Sequence, residues 1–212
     1  MGYSSYAHHV PGVVIIPIKS LSLAKGRLAG EVDAQTRVRL GLALAQHVAS
    51  TVVDAGQIPL IVTADPEVGE WATRSGFPSL PDPGDGLDVA ARAGVDWALQ
   101  SGSFWLVLHS DLPLLDTSDI DALTRPLKAR RDVIAPSADG GTSAIGSTER
   151  IGFGFGRASF HHHLRLLDDP KVIVRLGLLL DIDSPIDLSA ASTTKRGTWL
   201  EDILRGDAPA NR

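Results

Sequence analysis

Across the first 136 residues, short apolar runs alternate with longer amphipathic stretches, and that alternation leaves few folds open. The runs at 13–18, 58–63, 77–80, 104–108 and 132–136 read as strands. Near-continuous apolar runs of this length suit strands covered on both faces, as in a parallel sheet. Helical patterns lie between them. Asp33 is placed to cap the first, whose apolar face includes Val38, Leu42, Ala45, Val48 and Val52. Asp65 and Pro66 start the second, and two more are expected at about 87–99 and 117–129. The order β-α-β-α-β-α-β-α-β predicts an α/β fold, a mostly parallel sheet flanked by crossover helices.

The last third is less regular. Gly140 and Gly141 break the pattern. A strand is expected at 142–146, on a hairpin with the Phe153 region, and a helix at 158–167. Short strands are expected at 172–174 and 178–180, a helical turn at 185–190 and a last helix at 198–204. With no repeat, linker or low-complexity stretch, the reading is one domain over 13–206, an N-terminal arm at 1–12 and a flexible tail at 207–212.

Composition removes several classes of function. The formal net charge of −5 argues against a nucleic-acid-coating surface, which needs a basic face. The absence of cysteine excludes disulfides, thiolate catalysis and cysteine-ligated zinc. No apolar run approaches the roughly 18 residues of a membrane span, and the first residues lack the basic and apolar regions of a secretory signal. The expected location is the cytoplasm.

Two acidic segments, about seventy residues apart, each end an apolar run: Ser110-Asp111-Leu112-Pro113 and Leu180-Asp181-Ile182-Asp183-Ser184-Pro185. Ligands of open α/β sheets bind outside the carboxyl ends of the strands, so Asp111, Asp181 and Asp183 are expected in one crevice. Crowded carboxylates repel unless a cation sits between them. Oxygen ligands suit Mg²⁺, usually shared between one or two carboxylates and substrate phosphates. This points to phosphate chemistry. The plain alternative is capping, with Asp183 or Ser184 opening the helix at Pro185.

Lys19, Lys25 and Arg27 follow the first strand directly, where cationic side chains could grip a triphosphate or simply form a solvated basic loop. The spacing is not that of a P-loop. The segment Asp82-Pro83-Gly84-Asp85-Gly86-Leu87-Asp88 could let backbone approach a flat ligand, or be a turn that starts a helix. Asp139-Gly140-Gly141-Thr142-Ser143 offers hydroxyls and amides to an anion, as does Ser159. His161, His162 and His163 fan out at about 100° each on a helix, so all three cannot share one ion. His163 alone touching an anionic ligand is the better reading.

In this order, these segments resemble the 2-phospho-L-lactate and phosphoenolpyruvate guanylyltransferase family of coenzyme F-420 biosynthesis. The resemblance runs over roughly 13–190. It implies a nucleotidyltransferase-like fold of the GT-A/Rossmann-like kind, GTP, Mg²⁺ and a small phosphorylated acid, with a homodimer supported by the apolar region around Phe153 and Phe155. By position, Asp111, Asp181 and Asp183 resemble the metal ligands, and Lys19, Lys25 and Arg27 the triphosphate contacts. Gly84, Gly86 and Leu87 fall in the base-reading loop, with Asp88 and Ser143 beside the substrate positions. Thr142 and Ser159 resemble contacts to the acid's phosphate. Asp88 and Ser143 stand where the family usually has asparagine, His109 where it has a small or helix-breaking residue, and His162 where arginine is common.

Overall fold

The computed structural model describes residues 11–20, 28–84 and 86–206. The elements in chain order are β1 (Val13–Pro17), α1 (Ala34–Asp54), β2 (Ile58–Thr63), α2 (Pro66–Arg74), β3 (Ser79–Pro81), α3 (Leu87–Gln100), β4 (Trp105–Leu108), α4 (Thr117–Lys128), β5 (Val133–Pro136), β6 (Thr142–Ser147), α5 (Ser159–Leu164), β7 (Lys171–Val172), α6 (Leu176–Leu179), α7 (Pro185–Ser192) and α8 (Leu200–Arg205). One seven-stranded sheet runs in the order β3-β2-β1-β4-β6-β5-β7. β1 pairs in parallel with β2 and β4, and β2 with β3. β6 is antiparallel to both β4 and β5. The sheet is therefore mostly parallel with one reversed strand, and helices cover both faces.

The period-2 geometry of strands sorts the core. Val14 and Ile16 of β1 pack on one side with Val48, Val52, Ile120 and Leu123 from α1 and α4. Val13 and Ile15 pack on the other with Ala91, Val95 and Ala98 of α3. Each fully buried aliphatic side chain contributes about 1.5–3 kcal/mol, so this double coverage is what makes β1 the centre of the fold. A third cluster joins Leu40 and Leu44 of α1 to Leu114, Ile182, Leu188 and Ile203, which seats the C-terminal helices against α1. The caps read from sequence hold. Asp33 Oδ1 accepts from the Thr36 amide at 2.9 Å, and Asp65 Oδ1 from Glu67 at 2.9 Å ahead of Pro66.

Three expectations are corrected. β6 does not form a hairpin with the Phe153 segment; it inserts between β4 and β5, so those consecutive strands are not neighbours. The run expected as a strand at 178–180 lies in the helical turn α6 and the extended residue after it. The strand expected at 172–174 is the short β7, ending at Val172. Phe153 and Phe155, both part-buried, stack on each other at 5.6 Å and pack edge-on against Trp105 and His163. The terminal arm and tail fall mostly outside the described residues. Among the described residues no helix is long and apolar enough to cross a membrane.

Candidate active site

β4 and the segment after α6 deliver the acidic residues to one place. Beyond Leu108 the chain stays tied to the sheet, because the His109 amide donates to the Ser143 carbonyl at 3.0 Å. From the other direction, α6 ends at Leu179, whose carbonyl accepts from the Ala138 amide at 2.8 Å. The Ile182 amide then donates to the Asp111 carbonyl at 3.1 Å, locking the two segments side by side. Ile182 is fully buried, while Asp181 and Asp183 on either side are half-buried. The ligand atoms of His109, Asp111 and Asp181 lie within 4.8 Å of one another. Asp183 stands outside that trio but acts on Asp181 through its charge.

The electrostatics of this cluster suit a cation. Burial, and then the Asp111 carboxylate, push Asp181 up to about 6, with Asp183 and Asp139 adding to the effect. Two carboxylates with an imidazole form a donor set that a divalent ion can occupy, and such an ion would remove the repulsion. Asp139, close by, is held below the usual carboxylate range by hydrogen bonds. Its Oδ1 accepts from Ser137 Oγ at 2.5 Å and the Gly141 amide at 2.9 Å.

A second, buried polar cluster lies on β6 and α5. Thr142 Oγ1 is 2.9 Å from His163 Nδ1 and 3.1 Å from Ser159 Oγ. The Gly154 amide donates to His163 Nε2 at 3.0 Å. An amide can only donate, so Nε2 carries the lone pair, and the proton of the neutral ring sits on Nδ1 and is donated to Thr142. Burial, then the neighbouring His162, lower His163 to about 4, so the ring is neutral at physiological pH. Thr142 receives a hydrogen bond from the ring, and the Thr142–Ser159 pair retains one hydroxyl proton to donate. His163 is fully buried with both nitrogens engaged inside the protein, and His161 and His162 are exposed.

The remaining expected residues surround these clusters unevenly. Lys19 is exposed just beyond β1, at the same sheet edge as Asp111. Lys25 and Arg27 lie outside the described residues. Gly86 caps α3 with φ 115°, a conformation that a side chain resists, and Leu87 opens the helix half-buried. The Gly84 amide donates to Asp82 Oδ1 at 3.1 Å, shaping the loop before it.

Comparison with known proteins fits this geometry. The pattern described as "Guanylyl transferase CofC like" matches residues 12–202. The chain belongs to the CofC-like guanylyl transferase family. It is 37% identical over 186 residues to the phosphoenolpyruvate guanylyltransferase of Sphaerobacter thermophilus, covering 83% of this chain and 90% of that protein. It is 31% identical over 188 residues to the 2-phospho-L-lactate guanylyltransferase of Methanopyrus kandleri, covering 86% and 92%. A solved structure from Desulfovibrio desulfuricans, described as a candidate nucleotide-diphospho-sugar transferase, shares the fold with a TM-score of 0.70 at 16% identity, over 92% of this chain and 97% of that one. The protein is a nucleotidyltransferase.

Each residue expected to depart from the family's pattern has a structural setting. The Asp88 carboxylate accepts from the Phe155 amide at 2.8 Å, so its charge is spent on holding the aromatic segment. Ser143 is fully buried and donates to the carbonyls of Ala135 and Pro136, both at 3.3 Å, which directs it into the sheet and away from the Thr142–Ser159 pair. His162 is exposed beside Gly154, where an added Cβ would meet its ring at 2.7 Å. His109 joins the acidic cluster. Sequence reasoning treated it only as a departure. The signal was its i, i+2 spacing from Asp111 at the end of a strand, the same spacing that singled out Asp181 and Asp183.

Proposed function

We propose that this protein transfers GMP from GTP to the phosphate of a small phosphorylated acid, phosphoenolpyruvate or 2-phospho-L-lactate, releasing pyrophosphate, in coenzyme F-420 biosynthesis. The observation that carries the reading is the convergence of Asp111 and Asp181 beside the carboxyl end of β4 in a chain of this family. The relatives' names support the two acids. An enzyme drawing on GTP suits the cytoplasm.

In the reaction, a phosphate oxygen of the acid attacks the α-phosphorus of GTP, and the bond to the pyrophosphate oxygen breaks. The attacking oxygen is already anionic, so alignment and charge neutralisation carry catalysis, with no strong base required. Lys19 at the edge of β1 is placed to offset triphosphate charge, with Lys25 and Arg27 in the segment that follows. We assign the base to Gly84, Gly86 and Leu87. The Thr142–Ser159 pair, oriented by His163, supplies a hydroxyl proton to the acid's phosphate. Asp111 and Asp181, with Asp183 alongside, would hold Mg²⁺, which supplies Lewis-acid stabilisation of the phosphoryl oxygens when bound.

The test is the product. Incubation with GTP, Mg²⁺ and phosphoenolpyruvate or 2-phospho-L-lactate should give a guanylylated acid, visible by mass spectrometry and as coupled diphosphate resonances in phosphorus-31 NMR. GTP recovered intact with both acids would defeat the reading.

A further inference from the structure

We infer that His109 is a direct ligand of the catalytic metal ion in this protein, completing a nitrogen-and-oxygen donor set with Asp111 and Asp181. The inference rests on the guanylyl-transfer reading for the presence of a metal. It goes beyond that reading in which residues hold the ion and which ion the site prefers. Three observations carry it.

The first is distance. His109, Asp111 and Asp181 each offer an atom within 4.8 Å of the other two. Around one small divalent ion, ligand atoms stand about 3 Å apart at neighbouring positions and about 4.2 Å apart at opposite ones, at about 2.1 Å per bond. Small side-chain rotations close the difference. The second is placement. His109 and Asp111 are two residues apart just beyond β4, and both main-chain segments are pinned, His109 by its amide to Ser143 and Asp111 by its carbonyl to Ile182. Neither needs a backbone rearrangement to reach an ion near Asp181. The third is what the remaining acid does. Asp183 is outside the trio, and its neighbour Asp187 accepts from the amides of Asp183 and Ser184 at 3.2 and 2.7 Å, fixing that segment as a helix start.

The chemistry follows from the donor set. Exchanging one carboxylate for a neutral imidazole lowers the negative charge of the site by one unit and introduces a borderline nitrogen donor. Hard Mg²⁺ gains least from that exchange, and Mn²⁺, Co²⁺ and Zn²⁺ gain more. The site is therefore expected to bind Mn²⁺ more tightly than Mg²⁺, with nitrogen in the inner sphere.

The experiment uses the full chain with MnCl₂ as the probe, without nucleotide. Pulsed electron paramagnetic resonance on the Mn²⁺ complex should show a directly bound ¹⁴N nucleus, replaced by a ¹⁵N coupling when the protein is grown on ¹⁵N-histidine. The His109→Ala variant should lose that coupling, and its Mn²⁺ dissociation constant should rise about tenfold or more. His109→Asn serves as a near-isosteric second variant, and the labelling result needs no variant. Tight Mn²⁺ binding with no histidine nitrogen coupling, or a coupling retained in His109→Ala, overturns the ligand assignment and leaves the guanylyl-transfer reading standing. If Asp111→Asn also leaves Mn²⁺ binding unchanged, the metal site itself is misplaced.

Discussion

On the proposed reading, the Asp111 side chain serves chemistry more than folding. Its main-chain carbonyl is the part that accepts from Ile182. Replacing Asp111 by Asn should leave the melting temperature within a few degrees and reduce turnover by about a thousandfold, the scale of several kcal/mol of lost charge stabilisation; near-normal turnover in the purified variant would remove Asp111 from the site. His163 makes the opposite case. Its folded pKa of about 4 lies below the unfolded value near 6.5, so the unfolded chain takes up the proton first. The contribution of the neutral ring is present in full above pH 6.5 and is lost as pH falls towards 4, a change on the order of 3 kcal/mol. Denaturant titrations of the protein and of His163→Asn across that range should show the slope in the first and a weaker one in the second. The convergence of Asp111 and Asp181 was legible from sequence because each ends an apolar run. His163's role was not, since its partners Gly154 and Thr142 come from an irregular loop and a different element.

Among the elements, the β/α alternation up to β5 was legible because β1, β2, β4 and β5 are buried on both faces and the helices between them carry apolar stripes. The failures came where tertiary contacts decide. A short apolar run such as Leu178-Leu179-Leu180 fits strand or helix equally. The outcome is set by Asp119, which is buried on α4 and accepts from Arg175 Nε at 2.5 Å, immediately before α6, and from Arg196 Nη1 at 3.1 Å. Gly177 packs so closely that an added Cβ would sit 2.0 Å from Asp119 Oδ2. This network clamps α6, and with it the segment carrying Asp181, onto the sheet. Asp119→Ala leaves two arginines without their buried partner. The arginines remain partly solvated, so the expected cost is about 2–3 kcal/mol, below the full range for buried pairs. In a chain of this size that is a fall of roughly 5–10 °C in melting temperature. An unchanged melting temperature would show that the clamp contributes nothing. The strand β6 was expected at 142–146, but its place between β4 and β5 was invisible in the sequence, because strand order is written in no local pattern.

At the scale of the whole molecule, the sheet is a device for convergence. Its parallel strands β1 and β4 end at one edge, and the return of the chain through β5, β6 and α6 brings the second acidic segment to the first. A net charge of −5 does not oppose an anionic substrate here, because the charges that matter are local. On the proposed reading, this convergence serves guanylyl transfer to a small phosphorylated acid. The most direct measurement is pyrophosphate release by the purified protein with Mg²⁺, each nucleoside triphosphate in turn, and phosphoenolpyruvate, 2-phospho-L-lactate, 3-phosphoglycerate or a sugar phosphate as acceptor. Release is expected with GTP and one of the first two acids, and none when the acid is omitted. Release that favours a sugar phosphate, or that proceeds with no acceptor, would contradict it.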